Sequence, residues 1–258
     1  MQPLDADIAM WRELGVDHVG LILPKIEQAG WDEARAMVTG AGLRVSTIFG
    51  PTYRRLDAER ALGWWDADVA GTVRTVEFAA SVGAASVYVC SGAAPSLTWD
   101  ESAARFCELV APAVERSAEL GVPLLVEPTN PLRADVSFIF WQRDAMELAR
   151  RAGTKVMLDF QSCWYERGLE AVVRENIDLV GVAQLSDYVV GTGRTGDRVP
   201  PGDGDIPLER LVAMALDAGY EGPFDLEVMG PRVEEEGYPS AVRRAVEQAS
   251  ELLDRVGA

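Results

Sequence analysis

The chain has 258 residues, 48% of them hydrophobic and 25% charged, a balance that suits a soluble globular fold with a sizeable core and excludes a disordered chain. Its 24 basic and 41 acidic residues give a net charge of −17, which repels polyanions and argues against a nucleic-acid partner while leaving small substrates open. No apolar run is long enough to cross a bilayer, no basic segment leads into an apolar signal core, and Cys90, Cys107 and Cys163 form no Cys-x-x-Cys pair; the expectation is a cytoplasmic protein, off the membrane, with reduced thiols.

The chain opens into a helical pattern, with Asp5 placed to cap a helix carrying Ile8, Trp11 and Leu14. A junction then recurs in which a helical run ends on Gly and an apolar run follows: Gly15, Gly42, Gly83, Gly121, Gly153 and Gly219, with Asn176 in the same role once. Gly just past a helix supplies the left-handed cap, and Asn can replace it. The apolar runs predict strands at 18–23, 44–49, 86–90, 124–127, 156–159, 180–185 and 224–229, alternating with helices as a parallel sheet requires. The Trp64–Ser81 stretch reads as an apolar helix, Glu101–Leu120 as a helix kinked at Pro112, and Ser240–Val256 as a closing helix. Residues 191–207, rich in Gly, Pro and Asp, read as a long functional loop. No linker divides the chain, so residues 1–258 are expected to form one α/β domain, an eight-fold barrel whose first strand is shortened or missing. A stub at Met1–Leu4, a start downstream of the relatives' start, and an incomplete barrel all remain open.

Four of the runs end on side chains with oxygen donors: Glu127, Asp159, Gln184 and Glu227. In a barrel of parallel strands the chemistry sits at the strands' carboxyl ends, so these four would meet at one mouth. Their oxygens suit a hard divalent cation, Mg²⁺ or Mn²⁺, and three carboxylates brought together need compensating positive charge. Taken singly, each acid reads better as a helix cap or an arginine's partner; four in register at strand ends favour the metal.

The motifs Leu125-Val126-Glu127-Pro128, Met157-Leu158-Asp159-Phe160, Ala183-Gln184-Leu185-Ser186-Asp187, Pro201-Gly202-Asp203-Gly204-Asp205-Ile206 and Leu226-Glu227 resemble the sugar phosphate isomerase/epimerase family, with its xylose isomerase-like barrel. The resemblance is clearest from Leu124 to Glu227. It implies a divalent metal on the four strand-end residues, with Glu127 and Glu227 also moving protons on opposite faces of a bound ketose. Relatives often carry His at the third ligand position, where this chain has Gln184, and a substrate-contacting His three residues after the Asp, where it has Ser162.

His18, the single histidine, falls at the start of a strand, at the opposite end of the barrel; histidine-based acid/base chemistry and histidine zinc sites are therefore excluded. Substrate contacts are expected from Ser162, Trp164 and Tyr53, and from Arg194 and Arg198, whose planar forks suit phosphate or carboxylate. Gly191-Thr192-Gly193-Arg194-Thr195-Gly196 matches a dinucleotide-binding string, but Pro200-Pro201 follows where a helix should open, so no nucleotide cofactor is expected. The leading reading is a metal-dependent isomerase or epimerase of a small sugar-like hydroxy-carbonyl compound in carbohydrate metabolism, acting through an enediolate and assembled as a homo-oligomer. Its rivals are a lyase or dehydratase on the same site and a non-catalytic, partner-dependent subunit.

Overall fold

The computed structural model describes residues 2–191 and 197–257. Seven parallel strands run in chain order around one sheet: β1 (His18–Ile22), β2 (Arg44–Thr52), β3 (Val87–Cys90), β4 (Leu124–Glu127), β5 (Lys155–Asp159), β6 (Val180–Leu185) and β7 (Phe224–Leu226). Their order and parallel sense match the expected barrel. The intervening helices are α1 (Leu4–Leu14), α2 (Leu23–Ala29), α3 (Trp31–Gly40), α4 (Asp66–Val82), α5 (Trp99–Leu120), α6 (Gln142–Ala152), α7 (Phe160–Cys163), α8 (Leu169–Glu175), α9 (Leu208–Asp217), α10 (Pro231–Glu236) and α11 (Tyr238–Val256). Leu4, proposed as the end of a strand stub, begins α1 instead, and among the described residues no strand precedes β1. The barrel is therefore nearly closed: β7 and β1 approach one another but share no ladder.

Local sequence accounts for the elements. Every residue of β3 and β4 is buried, which is why these runs are apolar without alternation. Gly15, Gly83, Gly121 and Gly153 end their helices in the left-handed conformation. Asn176 does not; its φ is −133°, and a 3₁₀ turn at Ile177–Leu179 carries the chain into β6. Pro3, not Asp5, stands at the N-cap of α1, so Asp5 falls in the first turn, where its charge meets the helix's positive end. Thr98 and Glu101 form a reciprocal capping box on α5, which continues past Pro112.

Inside the barrel, Tyr88, Leu125, Met157 and Val182 pack with Phe49 into an apolar floor, the Phe49 and Tyr88 rings stacked with centroids 4.9 Å apart. Larger apolar clusters join the sheet's outer face to the helices. The register sets Asp159, Gln184 and Asp225 abreast on β5, β6 and β7, and Cys90 beside Glu127 on β3 and β4. Residues abreast on neighbouring strands share a face, so a polar layer lies directly above the floor.

Candidate active site

Glu127 is the last residue of β4 and is buried. Its Oε2 accepts a weak hydrogen bond from Cys90 Sγ at 3.5 Å. Burial, reinforced by the charges of Glu227 and Asp159, pushes its carboxyl up to about 8. Glu227 follows β7 directly and is anchored by its backbone N–H, which donates to the Leu185 carbonyl at 3.2 Å. Burial raises its pKa too, against the opposing pull of Arg198.

Asp159 ends β5 and is fully buried. Its Oδ1 accepts from the Gln161 backbone N–H at 3.0 Å, capping α7, and its Oδ2 accepts from Ser162 Oγ at 2.5 Å. Arg198 then clamps both oxygens, Nη1 to Oδ1 at 3.1 Å and Nη2 to Oδ2 at 2.8 Å, while its Nε lies 3.2 Å from Glu227 Oε2. Nη1 also donates to Ser186 Oγ at 2.9 Å. Burial alone would lower the guanidinium pKa, but Asp159 and Glu227 more than offset this and raise it, so Arg198 stays charged.

A strap across the barrel mouth delivers Arg198. Its backbone exchanges two hydrogen bonds with Met229, of 2.8 and 3.0 Å, and Val199 does the same with Asp187, at 3.0 and 2.8 Å. Asp187 is buried and accepts from the backbone N–H groups of Tyr188, Gly202 and Ile206, each at 2.8–2.9 Å. A Cβ on Gly204 would lie 2.3 Å from Asp187 Oδ1 and 2.6 Å from the Tyr188 backbone N and O, so only glycine lets the loop pass. The Asp187 and Pro-Gly-Asp-Gly-Asp motifs are thus the two halves of one anchor.

Gln184 is fully buried on β6; its Nε2 donates to Asp225 Oδ2 at 3.2 Å, and its Oε1 has no donor. Among the described residues no three His, Cys, Asp or Glu side chains form a ready metal cage, and Arg198 lies among the acids. The donor chemistry nonetheless fits a hard divalent ion. Gln184 Oε1 is a buried acceptor with no donor, burial and neighbouring acids push the Glu127 carboxyl up to about 8, and one guanidinium cannot neutralise Glu127, Asp159 and Glu227 together. Asp159 can join such a site when Arg198 releases one of its oxygens.

Of the expected substrate contacts, Ser162 lies inside the site, its hydroxyl on Asp159. Trp164 is half-buried, edge-on to Tyr165 at 5.8 Å, and Tyr165 meets Trp141 at 6.0 Å, forming an aromatic cluster just beyond β5. Tyr53 is a correction: it follows β2 as expected, but its ring is buried edge-on to Phe106 and its hydroxyl accepts from Thr72 Oγ1, so it packs the helix layer. Arg194 lies outside the described residues. His18 sits exposed at the start of β1, beside Asp17.

Asp225, Ser186 and Cys90 were not anticipated. The first two stand two residues from Glu227 and from Gln184, and strand alternation alone places them on the same face; Cys90 carried no such signal. Arg133, forked onto Asp135 after β4, also sends its charge towards Glu227.

The model of the xylose isomerase-like TIM barrel family matches residues 8–255. A 2-oxo-tetronate isomerase of Cupriavidus necator is 26% identical over 170 residues, covering 63% of this chain and 62% of that protein, so the chain spans less than two thirds of this curated relative. Among solved structures, protein SMc04130 of Sinorhizobium meliloti 1021 superposes with a TM-score of 0.86 at 20% identity, over 98% of this chain and 94% of that one. An IolI protein crystallised with a zinc atom superposes with a TM-score of 0.82 at 12% identity, over 99% and 94%. With the fold shared throughout and the family model spanning nearly its whole length, the chain belongs to the xylose isomerase-like TIM barrel family.

Proposed function

We propose that the protein is a divalent-metal-dependent isomerase or epimerase of a small sugar-like hydroxy-carbonyl compound. The observation that carries this reading is the pairing of two carboxyls, Glu127 buried and Glu227 partly exposed, around a layer that holds an unpartnered amide oxygen and a clamped arginine. The curated relative's isomerase activity agrees with it. Glu127, Asp159, Gln184 and Glu227 would hold the metal, as Mg²⁺ or Mn²⁺. When bound, the ion supplies Lewis-acid polarisation of the substrate carbonyl.

The chain's own residues do the proton work. Glu227, whose rise in pKa on burial is opposed by the Arg198 guanidinium 3.2 Å away, takes the proton beside the carbonyl. Glu127 delivers a proton to the other face; in the metal-free protein burial and the charges of Glu227 and Asp159 push its carboxyl up to about 8, and the Cys90 thiol on Oε2 opposes that rise. Arg198 faces the charge of the enediolate that forms between the two transfers. The floor of Phe49, Tyr88, Leu125, Met157 and Val182 excludes water from below.

Glu127→Gln and Glu227→Gln keep an oxygen donor and remove the ionisable group. Each is expected to lower kcat by about 10²- to 10⁴-fold with modest loss of metal, and solvent deuterium is expected in the product at the carbon attacked. Near-normal turnover in both variants would reduce the two residues to ligands. Product mass separates the reaction classes: isomerisation conserves it, whereas a dehydratase product is lighter by one water.

A further inference from the structure

Gln184 carries a weakness that a histidine or a carboxylate lacks at a ligand position. Its amide has a donor end and an acceptor end of nearly the same shape, and only the acceptor end can bind a cation. On a fully buried side chain a half-turn of the amide would present two N–H donors to the ion. Something must hold the amide one way round.

We infer that Asp225 is that positioning residue. A carboxylate accepts and cannot donate, so its Oδ2, 3.2 Å from Gln184 Nε2, fixes the nitrogen end and leaves Oε1 free of any other partner. The register places Gln184 between Asp159 and Asp225, so the amide's two ends face neighbours of different roles. Asp225 is itself seated by absence of bulk. A Cβ on Gly20 would stand 2.7 Å from Asp225 Oδ1, so the bare backbone of β1 makes room for the carboxylate at the seam where β7 and β1 share no ladder. Ser46, at the irregularity in the β1–β2 register, lies 3.5 Å from Oδ1 while bonding the Val19 carbonyl at 3.1 Å. The seam therefore houses the residue that orients a ligand on the neighbouring strand. Partners of this kind outside the donor set typically alter metal affinity by about 10- to 100-fold when removed.

This inference rests on the metal reading of the site, and the test separates the two. Mn²⁺ binding to the full-length metal-free protein is measured by titration calorimetry for wild type, Asp225→Leu, Asp225→Asn, Gln184→Ala and the Gln184→Ala/Asp225→Leu pair. Asp225→Leu is expected to weaken Mn²⁺ at least about 10-fold, whereas Asp225→Asn, whose amide oxygen still accepts from Gln184 Nε2, stays within about threefold of wild type. In the Gln184→Ala background Asp225→Leu is expected to cost nothing further, because its effect acts through the amide. Asp225→Ala carries the same comparison if the leucine variant does not fold. Wild-type affinity in Asp225→Leu, or an equal loss with and without Gln184, would overturn the inference while leaving the metal site intact. A wild-type protein that takes up no Mn²⁺ would overturn the metal reading and this inference with it.

Discussion

Arg198 carries one positive charge into a pocket that holds Glu127, Asp159, Asp225 and Glu227, and it pairs with Asp159 and Glu227. Arg198→Met leaves Asp159 and Glu227 without a cation, which is expected to cost the metal-free protein about 3 kcal/mol, read as a lower denaturation midpoint that added Mn²⁺ partly restores. An unchanged midpoint would show that the clamp contributes no stability. Glu127 makes the complementary prediction about pH. Its folded pKa of about 8 lies above its ordinary 4.5, so the folded state holds the proton more tightly. The stability this provides is fully present below about 4.5 and is lost as pH rises through about 8. Relative to wild type, metal-free Glu127→Gln should therefore gain stability between pH 5 and pH 8; parallel melts that show no such divergence would refute the assignment. The four strand-end donors were legible because each closes an apolar run. Arg198's grip on Asp159 was not, since it joins residues 39 positions apart through a loop whose path no local pattern encodes.

Among the elements, the strap from 197 to 206 is held by two isolated β-bridges and a buried aspartate. Its hold depends on Asp187 reaching three backbone N–H groups past a glycine with no room for a side chain. Gly204→Ala is expected to force the strap off Asp187, destabilise the protein by about 2 kcal/mol and displace Arg198. The signature is a lower denaturation midpoint together with a raised KM, and an alanine variant with wild-type values of both would contradict it. Strands and most helices were readable from Gly-terminated runs. Asn176 departed because a 3₁₀ turn supplies the change of direction there, and Asp5 because Pro3 already fixes an extended entry to α1. Tyr53 misled for a different reason. Its position after a strand end was right, but Thr72 and Phe106 in the helix layer decide which way the ring turns.

For the whole molecule, the seven strands arrange polar side chains above an apolar floor, and β1 and β7 approach one another across a seam without a ladder. Homo-oligomer formation stands as a proposal to be checked by light scattering on the eluting protein. The proposal that Glu127, Asp159, Gln184 and Glu227 share one divalent ion is decided by anomalous diffraction from crystals grown with Mn²⁺. A single anomalous peak is expected about 2.0–2.3 Å from an oxygen of each of the four side chains, with Gln184 Oε1 turned to the ion and Arg198 withdrawn from at least one oxygen of Asp159. Metal-loaded crystals with no peak among these residues, and with Arg198 still clamped across Asp159 and Glu227, would contradict it.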